Sequence, residues 1–318
     1  MTDGSETTGT RHSPPALSRI AGLAGFAIAI SHGPVQAQTQ GCRELERKFD
    51  AAIAEAAAPQ ISSFLFSSAD GGCAAVAAKA LRSGGSLDAR DRLGGTPLTH
   101  AARAGRGELI TFMLDNGAAI DHADLKGSTP LLVAIEKNRL DAALLLIERG
   151  ANVGALGRSG ISAVAAAAFV GDAEMVELLL NHGADGRTPD ATGKPPILYA
   201  AARASVPIVT RLLGLGIDVN AHYAADQTVL MWAAGTPADA SEAQALQLAN
   251  LLLAKGARID ETDDRGRTAL MNAAELEHAA MVDLLLARGA KMDIRDKQGK
   301  TAADITANVE IKAKLIQR

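Results

Sequence analysis

Aromatic side chains are nearly missing from this chain: phenylalanine, tyrosine and tryptophan make up 3% of residues, and Trp232 is the sole tryptophan. A core without large rings must be assembled from small aliphatic contacts, which suits short helices stacked closely. Charge of one sign is also missing. Lys+Arg 32 against Asp+Glu 36 gives a net charge of −4, which removes any general electrostatic reason to seek nucleic acid or an anionic membrane, while local patches stay open. Cysteine is scarce, with only Cys42 and Cys73; a Cys42–Cys73 bridge and two separate thiols are both consistent with that.

The usual marks of catalysis are absent as well. There is no Gly-x-Ser-x-Gly elbow. His100, His122, His182, His222 and His278 have no i, i+4 partner on a helix and no cysteine pair beside them, so no metal set is expected. Asp263-Asp264 and Asp293-Ile294-Arg295-Asp296 lack the alternate acids of a calcium loop. QGKTAAD, residues 298–304, ends like a phosphate-binding loop, but Ile294 stands where that loop needs its first glycine, and RGAKMDIRDKQ before it is too polar for a buried strand. No catalytic residue and no cofactor are expected.

The first 37 residues differ from the rest. Arg11, His12 and Arg19 precede the 11-residue apolar run IAGLAGFAIAI, followed by Gly33-Pro34 and small residues at Val35 and Ala37. The run is too short for the roughly 20 residues that span a bilayer, and the order is that of a secretory signal cleaved after Ala37. A periodic chain then emerges. Gly94, Gly127, Gly160, Gly193, Asp226, Gly266 and Gly299 are separated by 33, 33, 33, 33, 40 and 33 residues. Gly84, Gly117, Gly150, Gly183, Gly216, Gly256 and Gly289 keep the same beat, with the same seven-residue excess. Thr96-Pro97 and Thr129-Pro130 place a hydroxyl and a proline where helices begin. Alanine pairs such as Ala101-Ala102 follow, then leucine triplets such as Leu178-Leu179-Leu180, then a glycine stop.

With GGTPLTHAARAGRGELITFMLDNGAAID, KGSTPLLVAIEKNRLDAALLLIERGANV and RGRTALMNAAELEHAAMVDLLLARGAKMD as its clearest copies, the sequence resembles the ankyrin repeat over about residues 59–318. The resemblance implies an all-α ankyrin-repeat solenoid of stacked helix-turn-helix units with β-hairpin-like fingers, and makes Gly299 a finger glycine. The expected order is a signal at 1–37, a capping helix at 38–58 with Leu45, Phe49 and Ile53 on one face, and the repeat domain at 59–318. Within that domain a degenerate first copy occupies 59–90, repeats start near 91, 124, 157, 190, 223 and 263, and a truncated copy closes at 296–318, with Lys312, Lys314 and Arg318 on its outer side. The extra seven residues fall at 236–244 and are expected to form a loop. Where the family usually has histidine after Thr-Pro-Leu, this chain holds Thr99, Leu132, Ala165, Leu198, Met231, Met271 and Asp304, so apolar packing must replace that polar network.

In this family partners usually dock on the concave side, made of finger tips and first-helix positions. Carried across, these are Arg92, Leu93, Arg103, Leu125, Lys126, Glu136, Lys137, Arg158, Ser159, Phe169, Thr192, Lys194, Arg203, Gln227, Asp264, Arg265, Arg267, Glu275, Lys297 and Lys300. Basic residues prevail there, with finger aspartates such as Asp91, Asp124, Asp190, Asp263 and Asp296 offsetting some of the charge. The resemblance therefore implies a non-catalytic module for a protein partner, acidic in character. A monomer is expected, with no nucleic acid and no membrane insertion after signal cleavage, in the periplasm or secreted, where it would help or inhibit an enzyme or toxin. Two alternatives stand beside it: an intracellular scaffold, if 1–37 is not a cleaved signal, and a cofactor binder or enzyme using the 236–244 insertion with Trp232 and Tyr223.

Overall fold

The computed structural model describes residues 35–236 and 241–316, with side chains from Gln40 onward. The expected signal segment lies outside the described residues except for the backbone of 35–37, as do residues 237–240 of the insertion and Arg318. Helix α1 (Val35–Ala52) leads into eight helix pairs. The first members form an inner row: α2 (Ala58–Gly71), α4 (Pro97–Ala104), α6 (Pro130–Glu136), α8 (Ala163–Val170), α10 (Pro196–Ala202), α12 (Val229–Ala234), α14 (Ala269–Glu275) and α16 (Ala302–Ile305). The second members form an outer row: α3 (Ala74–Arg82), α5 (Gly107–Asp115), α7 (Leu140–Glu148), α9 (Ala173–Asn181), α11 (Val206–Leu213), α13 (Glu242–Ala254), α15 (Ala279–Ala287) and α17 (Val309–Ile316). No strand forms among the described residues, and no helix there is long and apolar enough to cross a membrane.

Five of the eight inner helices start where a hydroxyl satisfies an orphan backbone donor. Thr96, Thr129, Ser162, Thr228 and Thr268 accept from the N–H three residues on, at 3.2–3.4 Å. Pro195 takes that place in the fourth full copy and makes no such bond. The inner helices pack on one another in unbroken order because Ala101, Ala134, Ala167, Ala200, Ala233 and Ala273, all 0% exposed, hold nothing larger than a methyl between backbones. In the triplets at 178–180, 251–253 and 284–286 of the outer row only the middle leucine is fully buried: Leu179, Leu252 and Leu285 are 0% exposed, while their neighbours are half-covered. That follows from 3.6 residues per turn, which points one side chain of three at the core. Charged pairs cross the outer row from one copy to the next: Arg149 to Asp115 at 2.8 Å, Arg211 to Glu177 at 2.6 Å and Lys314 to Asp283 at 2.7 Å. Exposed pairs of this sort contribute little stability each, about 0–1 kcal/mol, so the row is held mainly by leucine.

In six of the pairs the turn between the two helices uses a left-handed residue. Gly72, Gly105, Asn138, Gly171, Ala204 and Glu277 fill it, the last at φ 59° with an exposed side chain. A non-glycine residue there is strained by about 1–2 kcal/mol. Glu277→Gly is therefore expected to stabilise the protein by about 1 kcal/mol, less the extra freedom of the unfolded chain, read as a rise in the urea midpoint with an unchanged slope.

Two expectations change in detail. The insertion is not all loop: Glu242–Gln244 belong to α13, which has 13 residues where the other outer helices have 8 or 9. The extra chain thus lengthens a helix as well as a connection. The fingers are tight turns rather than paired strands; the one bridge among them joins Leu156 and Ser162. At the chain's start, Cys42 and Cys73 form a disulfide, S–S 2.05 Å, joining α1 to the residue before α3.

Candidate functional site

Each finger closes when an N–H near its start meets a carbonyl four residues on, as Asp91 does with Gly95 and Asp124 with Ser128. The aspartates complete the turns. Asp91 accepts from the N–H groups of Leu93 and Gly95, both 2.8 Å; Asp124, Asp190, Asp263 and Asp296 repeat the pattern two and four residues on. Gly299 is the left-handed residue of the last such turn, φ 78°, and a finger turn accounts for the glycine of QGKTAAD. Neighbouring fingers are stitched by backbone bonds: Leu125 N–H to Leu93 O, Ala191 to Ser159, Asp264 to Ala225 and Lys297 to Arg265.

This geometry sorts the charges. Asp190, Asp263 and Asp296 are 8%, 4% and 6% exposed, spent on their own turns, so they offset less of the surface charge than their number suggests. Arg92, Lys126 and Arg158 stand exposed on three successive tips and form no ion pair with any described residue. Exposed Lys137 and half-exposed Arg103 lie at the ends of the adjoining inner helices, and Lys297 and Lys300 are exposed on the last finger. Leu93 (49%) and Leu125 (79%) add apolar tips beside these cations. Arg265 and Arg267 behave differently. Arg265 folds back on Asp263 at 2.8 Å; the Arg267 side chain is only 13% exposed and is held by Glu275 at 2.6 Å and Asp296 at 3.6 Å. Arg267 thus serves the fold. Arg203 is also engaged within the chain.

Polar ties that the repeat alignment had not shown appear one residue past the family's histidine position. His100 lies between Asp70 of the preceding copy (3.0 Å from Nδ1) and Asp91 of its own finger (2.9 Å from Nε2), against the Phe66 ring at 4.9 Å. His122 Nε2 is 2.9 Å from the Gly94 carbonyl, and His278 Nδ1 is 3.1 Å from that of Ala234. These histidines join copies, and no group of three metal-ligating side chains forms among the described residues.

At the register of His100 the fourth and fifth full copies carry Tyr199 and Trp232. The Tyr199 hydroxyl donates to Asp190, and Lys194 sits over the Trp232 ring, 5.4 Å from its centroid. Phe169, 61% exposed, meets Tyr199 edge-on at 6.1 Å. The middle of the inner face is therefore aromatic, with free cations concentrated on the fingers before it. Burial works to raise the Asp190 pKa, but bonds from the Tyr199 hydroxyl, the Lys194 and Thr192 N–H groups and the Thr192 hydroxyl outweigh it and hold the carboxyl at about 2. Burial and the Asp190 charge push the Tyr199 phenol up. Because the folded Asp190 value lies below the ordinary 3.8, its stabilisation is present above pH about 4 and is lost as pH falls through 4 towards 2. The full effect is about 2 kcal/mol. Denaturation midpoints measured between about pH 5 and pH 2 should show this slope in the native chain, and Asp190→Asn should remove that share of it.

The sequence model of the family described as "Ankyrin repeats (3 copies)" matches residues 65–157, 154–223 and 230–311. Among solved structures, the chain is similar to the crystal structure of the human ASB11 ankyrin repeat domain, with 25% identity and a TM-score of 0.62, over 70% of this chain and 96% of that one. No curated protein sequence matches the chain.

Proposed function

The chain belongs to the ankyrin-repeat family, and from that premise we propose that it is a non-catalytic interaction module whose finger tips and inner helices take an acidic protein partner. Ankyrin repeats are generally protein–protein interaction modules. The observation that carries the specific reading is the row Arg92, Lys126 and Arg158: three exposed cations on successive fingers, unpaired among the described residues, where Asp91 and Asp124 of the first two fingers bond their own backbone and the third has Gly157 in that place. Such a row attracts carboxylates and speeds encounter, and the rigid stack keeps its spacing before binding. We further propose that the module works outside the cytoplasm, as helper or inhibitor of an envelope enzyme or toxin. Support comes from the signal-like residues 1–37 and from the Cys42–Cys73 bridge, since disulfides persist where oxidants do.

The test is capture from the envelope fraction, quantified against a chain carrying Arg92→Glu, Lys126→Glu and Arg158→Glu. Exposed substitutions of this type shift stability by about 0.5 kcal/mol or less, so the variant stays folded. The captured protein should be acidic and its recovery should fall at least about tenfold. Equal recovery by both chains sinks the reading. Mass spectrometry of the mature N-terminus checks the compartment: a chain starting at Gln38 supports export, and one retaining the first 37 residues argues for an intracellular scaffold.

A further inference from the structure

The inner face changes level in its middle. Phe169, Ala202, Gly235 and Glu275 occupy the same register position of successive copies, at spacings of 33, 33 and 40 residues. The row thus runs from an exposed phenyl ring, through a methyl and a bare backbone, to Glu275 and its neighbour Leu276, which is 50% exposed. The two small residues leave a notch. Three positions back, about one helical turn, stand the half-exposed rings of Tyr199 and Trp232, with Lys194 over the indole. One feature points to an occupant: Phe169 is the one aromatic among the large exposed apolar side chains of the described residues, in a chain with nine aromatic residues in all. The platform is also fixed in advance, because Asp190 holds both the Tyr199 hydroxyl and the Lys194 backbone. Order imposed before binding lowers the entropic cost of association.

We propose that this notch seats one bulky apolar side chain of an acidic partner segment, whose flanking carboxylates meet Lys194 on one side and Arg158 and the earlier basic fingers on the other. The proposal rests on the reading of the inner face as an acidic-partner surface, and adds to it an apolar anchor at one place. The occupant follows from charge and shape together: a basic segment would meet Lys194 and Arg158 with like charge, and a purely acidic one would leave Phe169 and Leu276 uncovered.

A display library of short random peptides, selected on the full chain, supplies the probe; Trp232, as the sole tryptophan, reports its arrival. Enriched peptides should share a leucine, methionine or aromatic residue flanked by aspartate or glutamate, and should shift Trp232 emission on titration. Phe169→Ala removes an exposed wall without touching the core, and Ala202→Leu fills the notch. Each should weaken the selected peptides about tenfold or more, the scale of an anchor contact. Acidic peptides that ignore both variants but are lost with the finger-charge reversals would overturn the notch and leave the acidic-partner reading standing. Notch-dependent peptides without carboxylates would overturn the occupant proposed here, as would a selection that enriches nothing.

Discussion

Ala167→Leu breaks the array in two. Ala167 is 0% exposed in α8, which packs between α6 and α10, and its counterparts Ala101, Ala134, Ala200, Ala233 and Ala273 are as completely covered. Three added carbons at this position press on neighbouring helices rather than on a side chain that could rotate away. Overpacking in ordinary cores costs about 1–3 kcal/mol, and the upper end applies here. In a stack, stability is a sum of copy and neighbour-interface contributions. Loosening one central interface therefore removes coupling between the halves as well as stability. Trp232 lies in α12 and reports the later half, while circular dichroism reports every helix. In urea the two signals should coincide for the native chain and separate for Ala167→Leu, with the first transition's unfolding free energy lowered by about 3 kcal/mol. Coincident transitions within about 0.5 kcal/mol of the native chain would mean that the alanines are not what sets the spacing of the inner row.

The architecture was legible because period and cap chemistry are properties of residue order. A 33-residue beat, a hydroxyl before most inner helices and a glycine after most outer ones locate helix ends without knowledge of distance. The insertion shows where that ends: the extra residues could be counted, but whether they coil or extend a helix depends on packing, and Glu242–Gln244 continue α13. The His100 clasp is not legible in the sequence for a similar reason. The family's histidine position is held by Thr99, and one position along, on the same helix, a histidine reaches two carboxylates that lie 9 and 30 residues away.

The candidate surface was legible as a set of positions and not as a set of free charges. Arg92 and Arg267 both fall on fingers by register, two residues before Gly94 and one after Gly266, yet Arg267 is enclosed between Glu275 and Asp296 while Arg92 has no partner among the described residues. A count of acids could not show that the finger aspartates face their own backbone. The exchange of polar for aromatic residues at Tyr199 and Trp232 was visible in the letters, but their joint relation to Lys194, Asp190 and Phe169 needs coordinates.

Reduction of the Cys42–Cys73 bridge should release α1 while leaving the later copies intact. Among the described residues the ties between α1 and the array are few: the disulfide itself, Phe49 packed edge-on to Phe64 at 5.1 Å, half-buried Leu45 and Ile53, and Lys79 between Glu46 at 2.7 Å and Asp50 at 3.0 Å. An 18-residue helix on its own is marginal in water. Closing a loop across 31 residues restricts the open chain by an amount worth about 3–4 kcal/mol in the entropic account, more than the exposed lysine pairs supply. Amide exchange in α1 should therefore accelerate by about a hundredfold or more under reductant or in a Cys42→Ser, Cys73→Ser chain. Exchange from α4 onward should be unchanged, because each copy leans only on its neighbours. Equal protection of α1 in both states would place the cap's stability in Phe49 and its surroundings, and Phe49→Ala would then produce the loss that reduction did not.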